Sequence, residues 1–188
     1  MKAFLGALVL FLVCLAVFPG CKTTAAQIPI PSNAWQVVGE LNPKTGKWEY
    51  NGGGRIKYQQ GTPEAAELTF DRGTFNRSTG DVNATGNVTL RHKDIELNSD
   101  QASIKMKIGV VNATGKVTLR HKEAKLTVNH ASFNLNSGDG NATGNVTLRH
   151  EETELTLDHA SFSLKSGDIN ATGNVVLKRD DKVWKSEQ

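Results

Sequence analysis

The chain has 188 residues, a formal net charge of +3 at pH 7, 38% hydrophobic residues and only two cysteines. A charge this close to zero excludes a protein that binds nucleic acid through a strongly basic surface. Two cysteines exclude a fold held by a disulfide framework, so the chain must rely on a buried core.

The first twenty residues are typical of a secretory signal. Lys2 is their only charge, the apolar run AFLGALVLFLVCLAVF follows it, and Pro19-Gly20-Cys21 closes the segment. The run is too short, and too quickly followed by polar sequence, to favour a membrane span. We therefore predict a signal peptide over residues 1–20.

Gly20-Cys21 resembles a bacterial lipoprotein cleavage site, which implies that Cys21 becomes the lipidated first residue. The alternatives are an ordinary signal peptide and an uncleaved anchor. Residues 21–34 include the small, polar, proline-bearing stretch TTAAQIPIPSN, which predicts a tether to a folded domain over 35–188. The expected location is the periplasm, anchored in the outer rather than the inner membrane, since Lys22 follows the cysteine.

A repeat of 29 residues dominates the remaining chain. NATGNVTLRH begins at Asn83 and returns with small changes at Asn112, Asn141 and Asn170, and residues 54–82 form a weaker earlier copy. The segment LNPKTGKWEY predicts one more hairpin before it. Such a period indicates stacked units that bury their apolar faces only against their neighbours.

Apolar residues within a unit alternate with polar ones, which predicts strands. One strand runs from Ile169 to Leu177 in a single phase, whereas the phase of the preceding strand slips by one residue between Leu157 and Ala160. A bulge or bend at Asp158-His159 would restore the phase, with Gly173 bending the partner strand.

Two predicted turns set the register, because they pair apolar residues with apolar ones and opposite charges with each other. One turn is centred on Glu151-Glu152 and the other on Ser166-Gly167. The predicted pairs are Leu148–Leu155, Val146–Leu157 and Arg149–Glu154 at the first turn, and Lys165–Asp168, Leu164–Ile169, Phe162–Ala171 and Ala160–Gly173 at the second. Equivalent turns give Leu90–Leu97, Arg91–Glu96, Leu119–Leu126 and the unexplained like-charge pair Arg120–Lys125.

These patterns predict an all-β fold: an elongated antiparallel β-jellyroll, or trough, of bent strands built from 29-residue repeats. In Asn-Ala-Thr-Gly, the alanine would face inward, the glycine would sit at the bend, and the asparagine and threonine would face water. This explains the motif better than a glycosylation signal, which would need a eukaryotic secretory route.

The pieces x-A-T-G-N-V-x-L, E-L-x-x-D-x-A-x-F and S-G-D-x-x-A-x-G resemble the OstA-like family over about residues 50–180. They stand here at Ala84–Val88, Ala142–Val146, Glu154–Phe162 and Ser166–Asp168. The resemblance implies a periplasmic protein that shields acyl chains of lipopolysaccharide in its groove and joins similar proteins end to end. A lipidated N-terminus departs from the family members that are soluble or held by a membrane helix.

The inner face is the predicted lipid-binding surface. The alternative is a packed core in which these side chains close on each other, although alanine and glycine at 142, 144, 171 and 173 should leave space. The predicted groove residues are Val88, Leu90, Leu97, Val117, Leu119, Leu126, Phe133, Leu135, Val146, Leu148, Leu155, Phe162 and Leu164, with Ile95, Ile104, Val128 and Leu157 on the same face.

Nothing in the sequence predicts an enzyme, a metal site or a cofactor, because no nucleophile motif, phosphate loop or metal-spaced Cys/His group occurs. His92, His121 and His150 recur, but equivalent strands lie roughly 10 Å apart, which is too far to share a zinc ion. The expected function is lipid binding and bridging in glycolipid transport to the outer membrane. The alternative is a structural repeat lipoprotein that acts as a spacer or protein-interaction module.

Overall fold

The computed structural model describes residues 35–38, 40–59 and 65–186. The chain divides into two compact units, Met1–Ile30 and Pro31–Gln188, and every described residue belongs to the second. The predicted signal peptide, Cys21 and the tether over 21–34 lie outside the described residues. Within the described ranges, no helix is long and apolar enough to cross a membrane.

The described residues form fifteen strands of one antiparallel sheet, which confirms the all-β prediction. Six long strands of eleven or twelve residues, two for each repeat, make its centre. The strands are β1 (Trp35–Val38), β2 (Glu40–Asn42), β3 (Lys47–Tyr50), β4 (Gly54–Tyr58), β5 (Ala66–Phe70), β6 (Arg72–Asn76), β7 (Asp81–His92), β8 (Ile95–Lys105), β9 (Val110–His121), β10 (Ala124–Asn134), β11 (Asp139–His150), β12 (Thr153–Ser163), β13 (Ile169–Thr172), β14 (Val176–Arg179) and β15 (Lys182–Lys185).

The sheet is a meander that folds over along its length. Its strand order is β1-β4-β5-β7-β8-β9-β10-β11-β12-β14-β15 on one side of the fold line, while β2, β3, β6 and β13 extend the other side. The predicted early hairpin is present as β2 and β3, which pair through Asn42 and Lys47.

Each long strand pair changes register near its middle, which produces the bend. In the pair β11–β12, Gly144 and Asn145 together stand opposite Asp158 alone. The predicted phase slip between Leu157 and Ala160 is present, since both are buried, but the extra residue of the bulge lies on β11 and not at Asp158-His159. The Gly-Asn strand holds the extra residue because both residues adopt positive φ, 80° and 52°, which glycine accepts freely and asparagine tolerates.

Aspartate side chains stabilise the bend from the neighbouring strand. The Oδ2 atom of Asp158 accepts a hydrogen bond from the backbone N–H of Asn174 at 3.0 Å, and Oδ2 of Asp100 accepts one from the backbone N–H of Lys116, also at 3.0 Å. Each carboxylate thereby occupies the space beside a glycine that lacks a side chain. The aspartate at the bend of one strand and the glycine at the bend of the next strand thus form one structural feature, which is repeated along the sheet.

Replacing Gly115 by alanine should destabilise the protein more than the same change at Gly46. Both residues have positive φ, 93° and 64°, so alanine is strained at each. A Cβ on Gly115 would lie 2.4 Å from Oδ2 of Asp100, whereas a Cβ on Gly46 would meet nothing within 4 Å. We expect an additional loss of about 1–3 kcal/mol for Gly115→Ala in urea denaturation; equal losses would show that the aspartate moves away without cost.

The bend divides the inner face into two halves with distinct residue rows. The leucine half carries the row Ile56, Leu68, Leu90, Leu97, Leu119, Leu126, Leu148, Leu155, Leu177 and Trp184, each opposite the next. The phenylalanine half carries the row Phe75, Val82, Ile104, Val111, Phe133, Gly140, Phe162 and Ile169.

Alanines form a third row beside the bend. They lie opposite one another from Ala84 to Ala171, and all but Ala171 are buried. Small side chains fit there because the two halves converge at the fold line. The prediction that alanine faces inward and glycine marks the bend is confirmed, but no space remains at Ala142, which is fully buried.

The predicted register holds at one turn and fails at the other. The pairs Leu148–Leu155 and Arg149–Glu154 are confirmed, as are their equivalents in the other repeats, including Arg120–Lys125. The turn near Gly167 is longer than predicted, because the N–H of Gly167 bonds the carbonyl of Ser163. The four pairs predicted there are therefore wrong: Phe162 faces Ile169 and Ala160 faces Ala171, two residues from the predicted partners.

Candidate functional site

The slot between the two halves opens gradually along the sheet. In the leucine row, the residues from Ile56 to Leu119 are at most 2% exposed, Leu126 is 7% exposed, and Leu148 and Leu155 are half-buried. Trp184, at the end of the row on β15, is 48% exposed. The first part of the slot is therefore filled by the protein's own side chains, and the last part is not.

The phenylalanine row follows the same gradient. Phe75 and Val111 are fully buried, Phe162 is 9% exposed, and Ile169 on β13 is half-buried. Gly140 interrupts this row, at a position that holds valine in the two preceding repeats. The ring of Phe162 and the Cβ of Phe133 occupy the space beside Gly140, since a Cβ there would lie 2.5 Å from Cζ of Phe162 and 2.6 Å from Cβ of Phe133. Phe133, Phe162 and the glycine between them in the row thus form the wall of the slot where it opens.

A cavity of about 450 Å³ lies at this open end. Its walls come from both halves, and apolar atoms make up most of them. Phe162, Ala160 and Ile169 face Leu126 and Leu148 across it. The volume falls within the range of about 300–1,000 Å³ that is usual for small-molecule sites.

Charged residues line the rim of the cavity. Lys122 and Glu123 come from the turn between β9 and β10, and Lys165 and Asp168 come from the loop after β12. Leu164 lies in the same loop, half-buried, and its N–H bonds the carbonyl of Gly138 at 2.9 Å. The cavity is thus an apolar space with a polar entrance.

The predicted groove residues fall into two groups. Leu148, Leu155 and Leu164 are half-buried at the open part of the slot. The other predicted residues are buried, and of these Leu119, Leu126, Val146 and Phe162 line the cavity. The buried group comprises Val88, Leu90, Leu97, Val117, Leu119, Leu126, Phe133, Leu135, Val146 and Phe162.

Sequence reasoning missed several residues of the open end. Ala124, Ala160 and Ile169 line the cavity, and Trp184 ends the leucine row on β15. The repeat could have found Trp184, which lies 29 residues after Leu155, and Ile169, which lies 29 residues after Gly140.

The recurring histidines follow the gradient of the slot and do not converge. His92 is buried, with Nδ1 3.2 Å from the carbonyl of Ala65, whereas Nε2 of His121 contacts Oδ2 of Asp94 at 2.9 Å and His150 is exposed. Nε2 of His92 has no hydrogen-bond partner among the described residues. Within those residues, no group of three His, Cys, Asp or Glu side chains could hold a metal ion.

Outward-facing arginines pair with glutamates as predicted. Arg91 contacts Glu96 at 3.2 Å and Arg149 contacts Glu154 at 2.7 Å. The hydrogen bond from the amide of Asn98, with help from Arg91, lowers the pKa of Glu96. This carboxylate is therefore ionised at neutral pH and tied to its own neighbours on the outer face.

No family model matches the chain, and no curated protein matches it. Among solved structures, the chain is similar to LptH of Pseudomonas aeruginosa. The match has a TM-score of 0.53 and 11% sequence identity, and it covers 65% of this chain and 94% of LptH. LptH is described as the LptA-homologous periplasmic component of the conserved lipopolysaccharide transport device. At this identity the likeness shows a shared fold, the folded antiparallel trough described above.

Proposed function

We propose that the protein is a periplasmic carrier that holds acyl chains of lipopolysaccharide, or of a related glycolipid, on their way to the outer membrane. The observation that carries this proposal is the graded opening of the slot, which leaves an apolar cavity of about 450 Å³ between the two halves. The likeness to LptH supports the cargo class, since that protein serves a lipopolysaccharide transport device.

The cavity can stabilise a fatty acyl chain by burying its methylene groups away from water. Burial of each methylene contributes about 0.8 kcal/mol, so the buried part of one chain outweighs modest ordering costs. Leu148 and Leu155, which are only half-buried, would lose their contact with water when a chain covers them. The fully buried part of the slot contributes no binding energy for an acyl chain unless its walls separate.

The rim suits the polar end of such a lipid. Lys122 and Lys165 stand at the entrance, on the two halves, and their ammonium groups could contact a phosphate on the headgroup. Glu123 and Asp168 lie beside them, which would disfavour a cargo with densely packed negative charge. The acyl chains would thus point inward and the headgroup would stay in water.

The proposal includes a lipid anchor at Cys21 and contacts with similar proteins through strand edges. The edge strands β1 and β2 lie at one end of the described sheet, and β13 and β15 lie at the other. Such edges carry backbone groups that can pair with a strand from another chain. Partners of this kind would extend the slot from one protein into the next.

Titration of the full chain with purified lipopolysaccharide tests the proposal. Trp184 lies in the leucine row at the open end, so bound acyl chains should shift its fluorescence to shorter wavelength. The same titration of Trp184→Phe should bind equally but lose most of the shift. Absence of saturable binding would overturn the carrier proposal.

The second candidate is a rigid spacer or protein-interaction module of the cell envelope. It is favoured by the first part of the slot, where residues from Ile56 to Leu119 already fill the interior. A spacer needs no cargo and would recruit a protein along its strand edges. It predicts that no lipid accompanies the purified protein, whereas the carrier predicts a bound glycolipid.

A further inference from the structure

A row of charged residues crosses the outer face of the leucine half. Its members lie opposite one another on successive strands, one residue beyond the inward-facing leucines. Positive and negative side chains alternate along most of the row, and such opposite-charge pairs stabilise neighbouring strands. The row reads Lys57, Glu67, Arg91, Glu96, Arg120, Lys125, Arg149, Glu154 and Lys178.

The alternation breaks at the centre, where three cations are adjacent. Lys125 lies between Arg120 and Arg149, and like charges directly opposite each other destabilise a sheet. Arg149 is held by Glu154, and Arg120 interacts electrostatically with Glu96 on the opposite strand. Lys125 forms no ion pair or hydrogen bond with any residue that the structure describes. The central repeat therefore keeps an unfavourable arrangement that its neighbours avoid.

Comparison of the repeats shows that the positive charge is specific to β9 and β10. Lys125 replaces a glutamate that occurs at 67, 96 and 154, and Lys116 replaces an asparagine that occurs at 87, 145 and 174. Asn129 replaces an aspartate that occurs at 71, 100 and 158. All three changes make the outer face more positive, by four charge units in total relative to the other repeats.

The side chains around the cations are polar. Thr118, Thr127 and Thr147 lie beside Arg120, Lys125 and Arg149, two residues along each strand and on the same face. With strands about 4.8 Å apart, the cations from β9 to β11 span roughly 10 Å, and Lys116 lies about 13 Å from Arg120 along β9. A surface of charged and polar side chains without an aromatic anchor is a poor protein hot spot.

We propose that this cationic patch, formed by Lys116, Arg120, Lys125 and Arg149, binds the surface of a bilayer that contains anionic phospholipids. Phosphate groups at a membrane surface form an extended negative layer, which cations spread over three neighbouring strands can contact with several side chains at once. The patch lies on the outer face, and the sheet separates it from the slot. Membrane contact and acyl-chain binding are therefore independent functions of the two faces.

Binding of the full chain to vesicles tests the proposal. Vesicles of phosphatidylglycerol mixed with phosphatidylcholine are compared with vesicles of phosphatidylcholine alone, which measure any insertion of the N-terminal apolar segment. Lys125→Glu should weaken binding to the anionic vesicles by roughly twenty- to thirty-fold, and high salt should weaken the wild type similarly. The triple variant Lys116→Asn/Lys125→Glu/Asn129→Asp should abolish the preference for anionic vesicles.

The variants are chosen to keep the fold, because the neighbouring repeats carry the same residues at the equivalent positions. The control is Lys44→Glu, an equal change of charge in the exposed turn between β2 and β3, which should bind as the wild type does. Equal binding of wild type and triple variant, or an equal loss in Lys44→Glu, would overturn the proposal. Tight binding of free pyrophosphate that Lys125→Glu abolishes, without vesicle binding, would overturn it in favour of a soluble ligand.

Discussion

Leu97→Ala should lower the free energy of unfolding by about 2–5 kcal/mol, whereas Leu155→Ala should cost roughly half as much or less. The two leucines occupy equivalent positions two copies of the repeat apart and lie in the same row of the inner face. Leu97 is fully buried, so its removal leaves a cavity, but Leu155 is only half-buried and already contacts water. Urea denaturation followed by circular dichroism measures both changes.

The comparison tests whether the slot is closed at one part and open at another. Slopes of the urea transitions should stay equal, since neither change should alter the surface that unfolding exposes. Equal losses at the two positions would show that the slot is packed along its whole length. That result would leave the spacer as the better account of the protein.

Leu148→Glu should weaken lipopolysaccharide binding by more than ten-fold, while Thr147→Glu should leave it nearly unchanged. Leu148 lines the cavity, so a carboxylate there would have to lose water when an acyl chain enters. Thr147 precedes it on β11 and faces the opposite side of the sheet. Both variants add the same charge to the same strand, so their difference isolates the inner face.

Because Leu148 is only half-buried and lines the open end of the slot, the glutamate can reach water in the unliganded protein, and the variant should fold. Matching circular dichroism spectra and urea midpoints within about 1 kcal/mol would establish this before titration. If Leu148→Glu binds as tightly as Thr147→Glu, the lipid does not enter this cavity. If both lose binding, charge on the strand, and not its inner face, determines affinity.

The sequence predicted the faces of the strands better than the connections between them. Alternation of apolar residues placed Leu148 opposite Leu155, and the structure confirms it. At the turn near Gly167, the predicted and observed registers differ by two residues, so the same side chains face inward in both. Apolar pairing cannot distinguish two registers that place the same side chains on the inner face. The hydrogen bond from the N–H of Gly167 to the carbonyl of Ser163 selects the longer loop, and the sequence pattern does not show this bond.

The opening of the slot could not be predicted from local sequence. Leu90, Leu119 and Leu148 lie in nearly identical segments, VTLRH in each case, yet the first is fully buried and the last is half-buried. Their difference arises from what packs on the opposite half, where the phenylalanine row ends at Ile169. Burial at a given repeat therefore depends on its position in the stack and not on its own residues.

The residues of the cationic patch, unlike the opening of the slot, can be recognised from local sequence. Lys116, Lys125 and Asn129 depart visibly from the other repeats, so the sequence alone marks them. Only the register shows that Lys125 lies between Arg120 and Arg149 on neighbouring strands. The like-charge pair that the sequence left unexplained thus becomes part of a surface with a testable role.

Mass spectrometry of the protein isolated from the cell envelope under non-denaturing conditions tests the central claim most directly. If the open end of the slot carries acyl chains, the wild type and Thr147→Glu should retain a bound glycolipid, and Leu148→Glu should not. A protein free of lipid in all three preparations, with its fold intact, would contradict the carrier account.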